Sequence, residues 1–100
     1  MRKISTSAPA IVKLLGEYDL SRINELRELF DPICENVVVD FSRVTYLDSS
    51  CIALLLSLEQ RLQSLGSHAT IVAPRGPARK IFSILQLYRL FNIIEPTRLL

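Results

Sequence analysis

Residues 37–66 read VVVDFSRVTYLDSSCIALLLSLEQRLQSLG, and the change of period inside this stretch decides the fold. Val37-Val38-Val39, extended by Phe41, is a β-branched run without alternation, the pattern of a strand covered on both faces in a parallel sheet. Further on the spacing turns helical. Leu54, Leu55, Leu58, Leu62 and Leu65 form one stripe, which predicts a helix over Ser50–Ser64, and Gly66 is placed to end it in a left-handed turn. Asp48-Ser49-Ser50 is the polar joint between the two periods.

Reading outward from this stretch repeats the alternation. Ala69–Ala73 predicts a second buried strand. Pro77 suits the first turn of a helix over Ala78–Leu87, with Ile81, Phe82, Leu85 and Tyr88 on its inner side. Phe91–Ile94 predicts a last short strand that Pro96 stops. Upstream, Asp19 or Ser21 can cap a helix over Arg22–Ile33 that Pro32 closes, with Ile23, Leu26, Leu29, Phe30 and Ile33 at helical spacing. Arg2–Thr6 and Ala10–Leu15 read as extended segments around a turn at Ser7-Ala8-Pro9. Strand–helix alternation implies right-handed crossovers and an α/β fold with helices packed on a mostly parallel sheet, which an N-terminal hairpin makes mixed.

One hundred residues suit a single domain, 1–100, with no visible linker or repeat. Apolar residues make up 49% and charged residues 22%, which excludes a disordered chain. So small a domain has much surface for its volume, so part of that apolar content is expected outside, where it marks a partner surface. A net charge of +2 implies no strong field and no nucleic-acid partner. Cys51–Leu58, the longest uncharged apolar stretch, is far below the roughly 20 residues a bilayer span needs, so no direct membrane insertion is expected. Ala8–Leu15 is broken by Pro9 and Lys13 and makes no signal peptide, which points to the cytoplasm. Cys34 and Cys51, 17 residues apart, fit neither a redox pair nor a zinc site and read as buried free thiols.

Tests for chemistry return little. Gly16, Gly66 and Gly76 stand alone, so there is no dinucleotide fingerprint or phosphate loop. Metal sites need clusters of His, Cys and carboxylates, and no cluster or other cofactor signature is visible. His68 is the single histidine and reads as a surface or satisfied residue. A Ser–His–Asp hydrolase built from Ser49, His68 and Asp48 or Asp19 lacks the flanking glycines of a nucleophile elbow. No enzyme is expected. Asp48 or Ser49 serves plainly as an N-cap for free backbone N–H groups. The same geometry exposes a hydroxyl where backbone N–H groups and the helix dipole would hold a phosphate. Its added charge, about −1.5 to −2, would alter a partner surface.

Several stretches together resemble the STAS domain family, and within it the bacterial anti-sigma factor antagonists. They are Gly16-Glu17-Tyr18-Asp19 after the first long strand and Val37-Val38-Val39-Asp40-Phe41 leading to Asp48-Ser49-Ser50. Ala73-Pro74 before the third helix and Leu90-Phe91-Asn92-Ile93-Ile94 complete the set. The resemblance implies a STAS fold that binds an anti-sigma factor, usually a serine kinase, and is phosphorylated on Ser49. Asp19, Asp48 and Ser50 would surround the phosphosite. Unphosphorylated, such a protein binds the anti-sigma factor and releases the sigma factor; phosphate on Ser49 blocks the complex. Two departures stand out. Cys51 occupies a position that is often Gly in the family, where a side chain would crowd a docking kinase. The chain also stops at Thr97-Arg98-Leu99-Leu100, where the family usually adds a helix, which would leave core surface open to a partner or a second copy as a homodimer. STAS domains also serve as subunits of lipid-transport ATP-binding-cassette complexes, as modules of stress-signalling assemblies and as tails of anion transporters. The first two remain alternatives for this chain.

Overall fold

The computed structural model describes residues 9–96. Four strands, β1 (Ala10–Tyr18), β2 (Val37–Leu47), β3 (Ala69–Val72) and β4 (Asn92–Ile94), alternate with three helices, α1 (Ile23–Phe30), α2 (Ser49–Ser64) and α3 (Pro77–Ile84). All strand pairs are parallel and the order across the sheet is β1-β2-β3-β4. The expected strand at Arg2–Thr6, and with it the hairpin, lies outside the described residues, as do the last four residues of the chain.

Parallel neighbours in sequential order require three crossovers stepping in one direction. Their common right-handed sense puts every helix on the same face of the sheet. Burial follows that rule. Val12, Val39, Ile71 and Ile93 share one row of the register and face the helices; Val39 and Ile71 are fully enclosed. On the other face Val38, Asp40, Thr70 and Val72 are only half-buried, and Ile11 and Ile94 are exposed. The β-branched run is therefore covered on one face among the described residues, not on both. Its residues alternate between core and rim while keeping the same β-branched shape, so side-chain type alone could not show it.

β2 runs far past Phe41, to Leu47, because it stays paired with β1 after β3 has ended opposite Asp40. Two bulges make this possible. β2 carries one extra residue between the pairs Lys13–Asp40 and Leu15–Arg43, and another between Gly16–Val44 and Glu17–Tyr46. The two strands therefore finish level, Tyr18 opposite Leu47, and the chains that leave them start at Asp19 and Asp48.

The helices differ from expectation mainly at their ends. α1 is shorter than Arg22–Ile33, since a 3-10 turn over Leu20–Arg22 precedes it and Asp31-Pro32 stops it. The Arg61 guanidinium closes its C-terminus by donating to the carbonyls of Phe30 and Ile33. Leu29 lies 40% exposed on its outer side. In α2, Leu55, Leu58 and Leu62 are buried and Leu54 is half-buried, but Leu65 has turned out to 56% exposure. Gly66 follows at φ +78°, in the expected left-handed turn. α3 ends at Ile84, three residues early, so Leu85 and Tyr88 are exposed and Leu87 takes the core position. Cys34 is exposed and only Cys51 is buried.

Candidate functional site

The level ends of β1 and β2 present two copies of one local device. After β1, the Asp19 carboxylate accepts from the Ser21 backbone N–H at 2.9 Å and from the Ser21 hydroxyl at 2.5 Å. After β2, the Asp48 carboxylate accepts from the Ser50 N–H at 2.9 Å and from the Ser50 hydroxyl at 3.0 Å. Each Asp-x-Ser unit satisfies N–H groups at a helical start. The Asp48 N–H donates to the Tyr18 carbonyl at 3.0 Å, which ties the two units side by side at the carboxyl end of the sheet. Ligands and partners of open parallel sheets are met at this end.

Within this device the two adjacent serines differ. Ser50 is half-buried and its hydroxyl is held by Asp48. Ser49 is the first residue of α2 and is exposed. Asp48 stays below the usual carboxylate range, because the Ser50 N–H and then the Ser50 hydroxyl stabilise its charged form, with a smaller contribution from Ser49. The Ser49 hydroxyl thus stands at the positive end of a 16-residue helix, beside an ionised carboxylate and open to solvent.

Cys51 points away from that surface. It is 3% exposed, and its thiol donates to the Tyr18 carbonyl at 3.1 Å. Burial pushes its pKa up, and the Asp48 and Asp19 carboxylates push the same way. The side chain at 51 therefore does not crowd the approach to Ser49; it pins the start of α2 to the end of β1.

Sequence reasoning missed Arg22, which braces the site. Its Nη1 donates to the carbonyls of Leu15 and Glu17, on either side of Gly16, at 3.0 and 2.9 Å. Its other nitrogens grip Glu25 in a two-point ion pair, and the guanidinium carbon lies 3.9 Å from the centre of the Tyr18 ring. Gly16 sits inside β1 at φ +86°, and a Cβ there would meet Arg22 Nη1 at 3.6 Å. Gly16, Glu17 and Tyr18 are thus the end of the strand, and only Asp19 follows it. An Arg three residues before a Glu at a helix start was the available signal.

His68 does not join the site. It follows the far end of α2, about 24 Å of helix from Ser49, and its Nδ1 lies 3.1 Å from Glu59. The Ser–His–Asp arrangement is not assembled. Among the described residues no group of His, Cys, Asp and Glu could hold a metal ion, and no helix is long and apolar enough to cross a membrane.

A parallel α/β sheet with its helices on one face, and paired Asp caps at adjacent strand ends, defines a small domain whose distinctive surface is a helix start. The family model described as "Mlab, STAS domain" matches residues 1–95, and the chain belongs to the STAS domain family. A STAS-domain containing protein of Pseudomonas aeruginosa (strain UCBPP-PA14), PA14_20770, is 26% identical over 85 residues, covering 82% of this chain and 84% of that protein. Two solved structures share the fold. One is the anti-sigma factor antagonist SpoIIAA in its unphosphorylated form, with a TM-score of 0.70 and 19% identity over 95% of this chain and 86% of that one. The other is the Bacillus cell fate determinant SpoIIAA in its phosphorylated form, with a TM-score of 0.67 and 20% identity over 88% and 82%.

Proposed function

We propose that this STAS domain is a phosphorylation-switched antagonist of an anti-sigma factor, working in the cytoplasm by binding and not by catalysis. The observation that carries the reading is the contrast between Ser49, exposed at the head of α2, and Ser50, tied to Asp48. The fold shared with both forms of SpoIIAA supports it. With a free Ser49 hydroxyl, the strand-end surface holding Asp19, Asp48 and Ser50 binds the anti-sigma factor, a serine kinase, and sigma factor is released. Phosphate on Ser49 ends the complex.

The energetics fit a switch that spares the fold. At the head of α2 the helix dipole favours the new charge by about 0.3–1 kcal/mol. Asp48, ionised beside it, opposes that gain, so the domain tolerates the modification. A docked partner has no such balance, because it must bury an unpaired dianion where a hydroxyl had been, at a cost of several kcal/mol.

Affinity capture from the source cell with wild type, Ser49→Ala and Ser49→Asp tests the reading, with circular dichroism melts alongside. Wild type and Ser49→Ala should retain a serine-kinase-like anti-sigma factor that Ser49→Asp loses, at unchanged melting temperature. Equal retention by all three would remove Ser49 as the switch, and a collapsed Ser49→Asp melt would make the site structural. The matched family model is named for Mlab and not for an anti-sigma factor antagonist, which keeps a lipid-transport subunit as the second reading. Retention of an ATP-binding-cassette subunit in the same capture would favour it.

A further inference from the structure

Charge is divided unevenly along the chain. Nine of the ten acidic residues lie in residues 1–59, whereas residues 60–94 hold five Lys and Arg and no Asp or Glu. Two of those five cations are occupied. Arg61 caps α1, and Arg79 pairs with Glu95 at 2.6 Å. The other three, Arg75, Lys80 and Arg89, are exposed with no carboxylate partner among the described residues; of these, Lys80 and Arg89 lie on α3 and the turn after it, where Arg89 donates only to the neutral Gln86.

Beside these two cations stand the apolar side chains that α3 and the following turn fail to bury. Ile84 is 75% exposed, Leu90 52%, Leu85 43% and Tyr88 39%. Lys80 and Ile84 are one helical turn apart on the outer side of α3, while Ala78 and Phe82 face the core. The 3-10 turn Leu87–Arg89 packs back on α3 through Leu87 and the edge-on contact of Tyr88 with Phe82. Phe82 in turn meets Phe41 edge-on, so this surface lies beside the middle of β2 and not at its carboxyl end, where α2 and Ser49 begin.

We propose that this surface binds the anionic headgroup face of a lipid bilayer. Its chemistry is donors and aliphatic groups, and Glu95, the carboxylate that borders it, is already held by Arg79, which suits headgroup phosphates, since these accept and never donate. A protein partner would present donors as well, and the one carboxylate near them, Glu95, is engaged by Arg79; exposed lysines are also depleted from protein interfaces. Lys80 and Arg89 would lie at the phosphates, the Tyr88 ring at headgroup level, and Ile84, Leu85 and Leu90 at the acyl boundary. The proposal is independent of the anti-sigma reading, because it uses none of the strand-end residues.

Sedimentation with phosphatidylcholine vesicles, with and without phosphatidylglycerol, tests it. The intact protein should sediment with phosphatidylglycerol vesicles at low salt, less at high salt, and not with phosphatidylcholine alone. Each cation near the surface is worth about a five-fold change in binding, so Lys80→Glu/Arg89→Glu should abolish sedimentation. Ile84→Ser should weaken it without changing its salt dependence, and Ser49→Asp should leave it intact. Melts within a degree or two of wild type would show that the exposed substitutions spare the fold. Absence of phosphatidylglycerol-dependent sedimentation, or its survival in the double charge reversal, would overturn the proposal. So would vesicle-free retention of an acidic protein that the same double variant loses, which would assign the surface to a protein.

Discussion

Glu59 is the single buried charged residue among those described, 7% exposed on the inner side of α2. Its carboxylate accepts from the Ala69 N–H and from the Gln63 amide, both at 2.8 Å, and His68 adds a third contact. Burial pushes its pKa up, but those hydrogen bonds outweigh it, and the net direction is below the ordinary 4.5. A carboxylate lowered in the fold contributes stability that is fully present above its unfolded pKa and is lost as pH falls through the folded one. Wild type should therefore lose stability on acidification below about pH 4.5, and Glu59→Gln should lose less over the same range. Glu59→Leu leaves the Ala69 N–H at the start of β3 without an acceptor, at a cost of about 1–3 kcal/mol at neutral pH. Urea titrations across a pH series check both. An acid response of Glu59→Gln equal to wild type would assign the loss to other carboxylates.

At the scale of elements, α2 separates the stripe that packs from the residue that merely continues it. Leu58 is 1% exposed in the middle of the helix, and Leu65 is 56% exposed after its last turn. Leu58→Ala should cost about 2–5 kcal/mol, and Leu65→Ala should stay within about 0.5 kcal/mol. Thermal melts of the pair decide it, and equal losses would mean that the helix face has been misjudged. The same contrast shows what the sequence made legible. A period sustained over four turns identified α2 but left its cap open between Asp48 and Ser49; Asp48 is the cap, and the helix begins one residue early, at Ser49. α3 misled because nothing marks its end: Gln86, and no Gly or Pro, turns the chain at φ 56°. β2 beyond Phe41 was hidden because two bulges break the alternation of Ser42–Tyr46. The spacing of Arg22 and Glu25 signalled only a local ion pair, and the brace that Arg22 makes to β1 was hidden because its partners there are backbone carbonyls, which carry no signature in sequence.

At the scale of the molecule, the four strands are unequally anchored. β1 and β2 pair along their length, and β3 sits between β2 and β4 with Ile71 in the buried row beside Val39, but β4 contributes three residues bonded to β3 on one side. Beyond the sheet, β4 is held by the half-exposed Arg79–Glu95 pair at 2.6 Å, and exposed pairs of this kind stabilise little, because solvent screens them. The turn before it is more firmly seated, since Leu87 and Phe91 reach the core. Local opening draws on segments with few buried apolar contacts, so the β4 edge should open without disturbing the strands that carry Asp19 and Asp48. Native-state hydrogen exchange should find the β4 amides exchanging well before those of Val39 and Ile71, with denaturant sensitivity too small for global unfolding. Arg79→Ala should speed exchange in β4 and leave β2 unchanged. Exchange of β4 and β2 at one common rate would show instead a single cooperative unit, in which a change at the basic, apolar surface of α3 would be felt at Ser49.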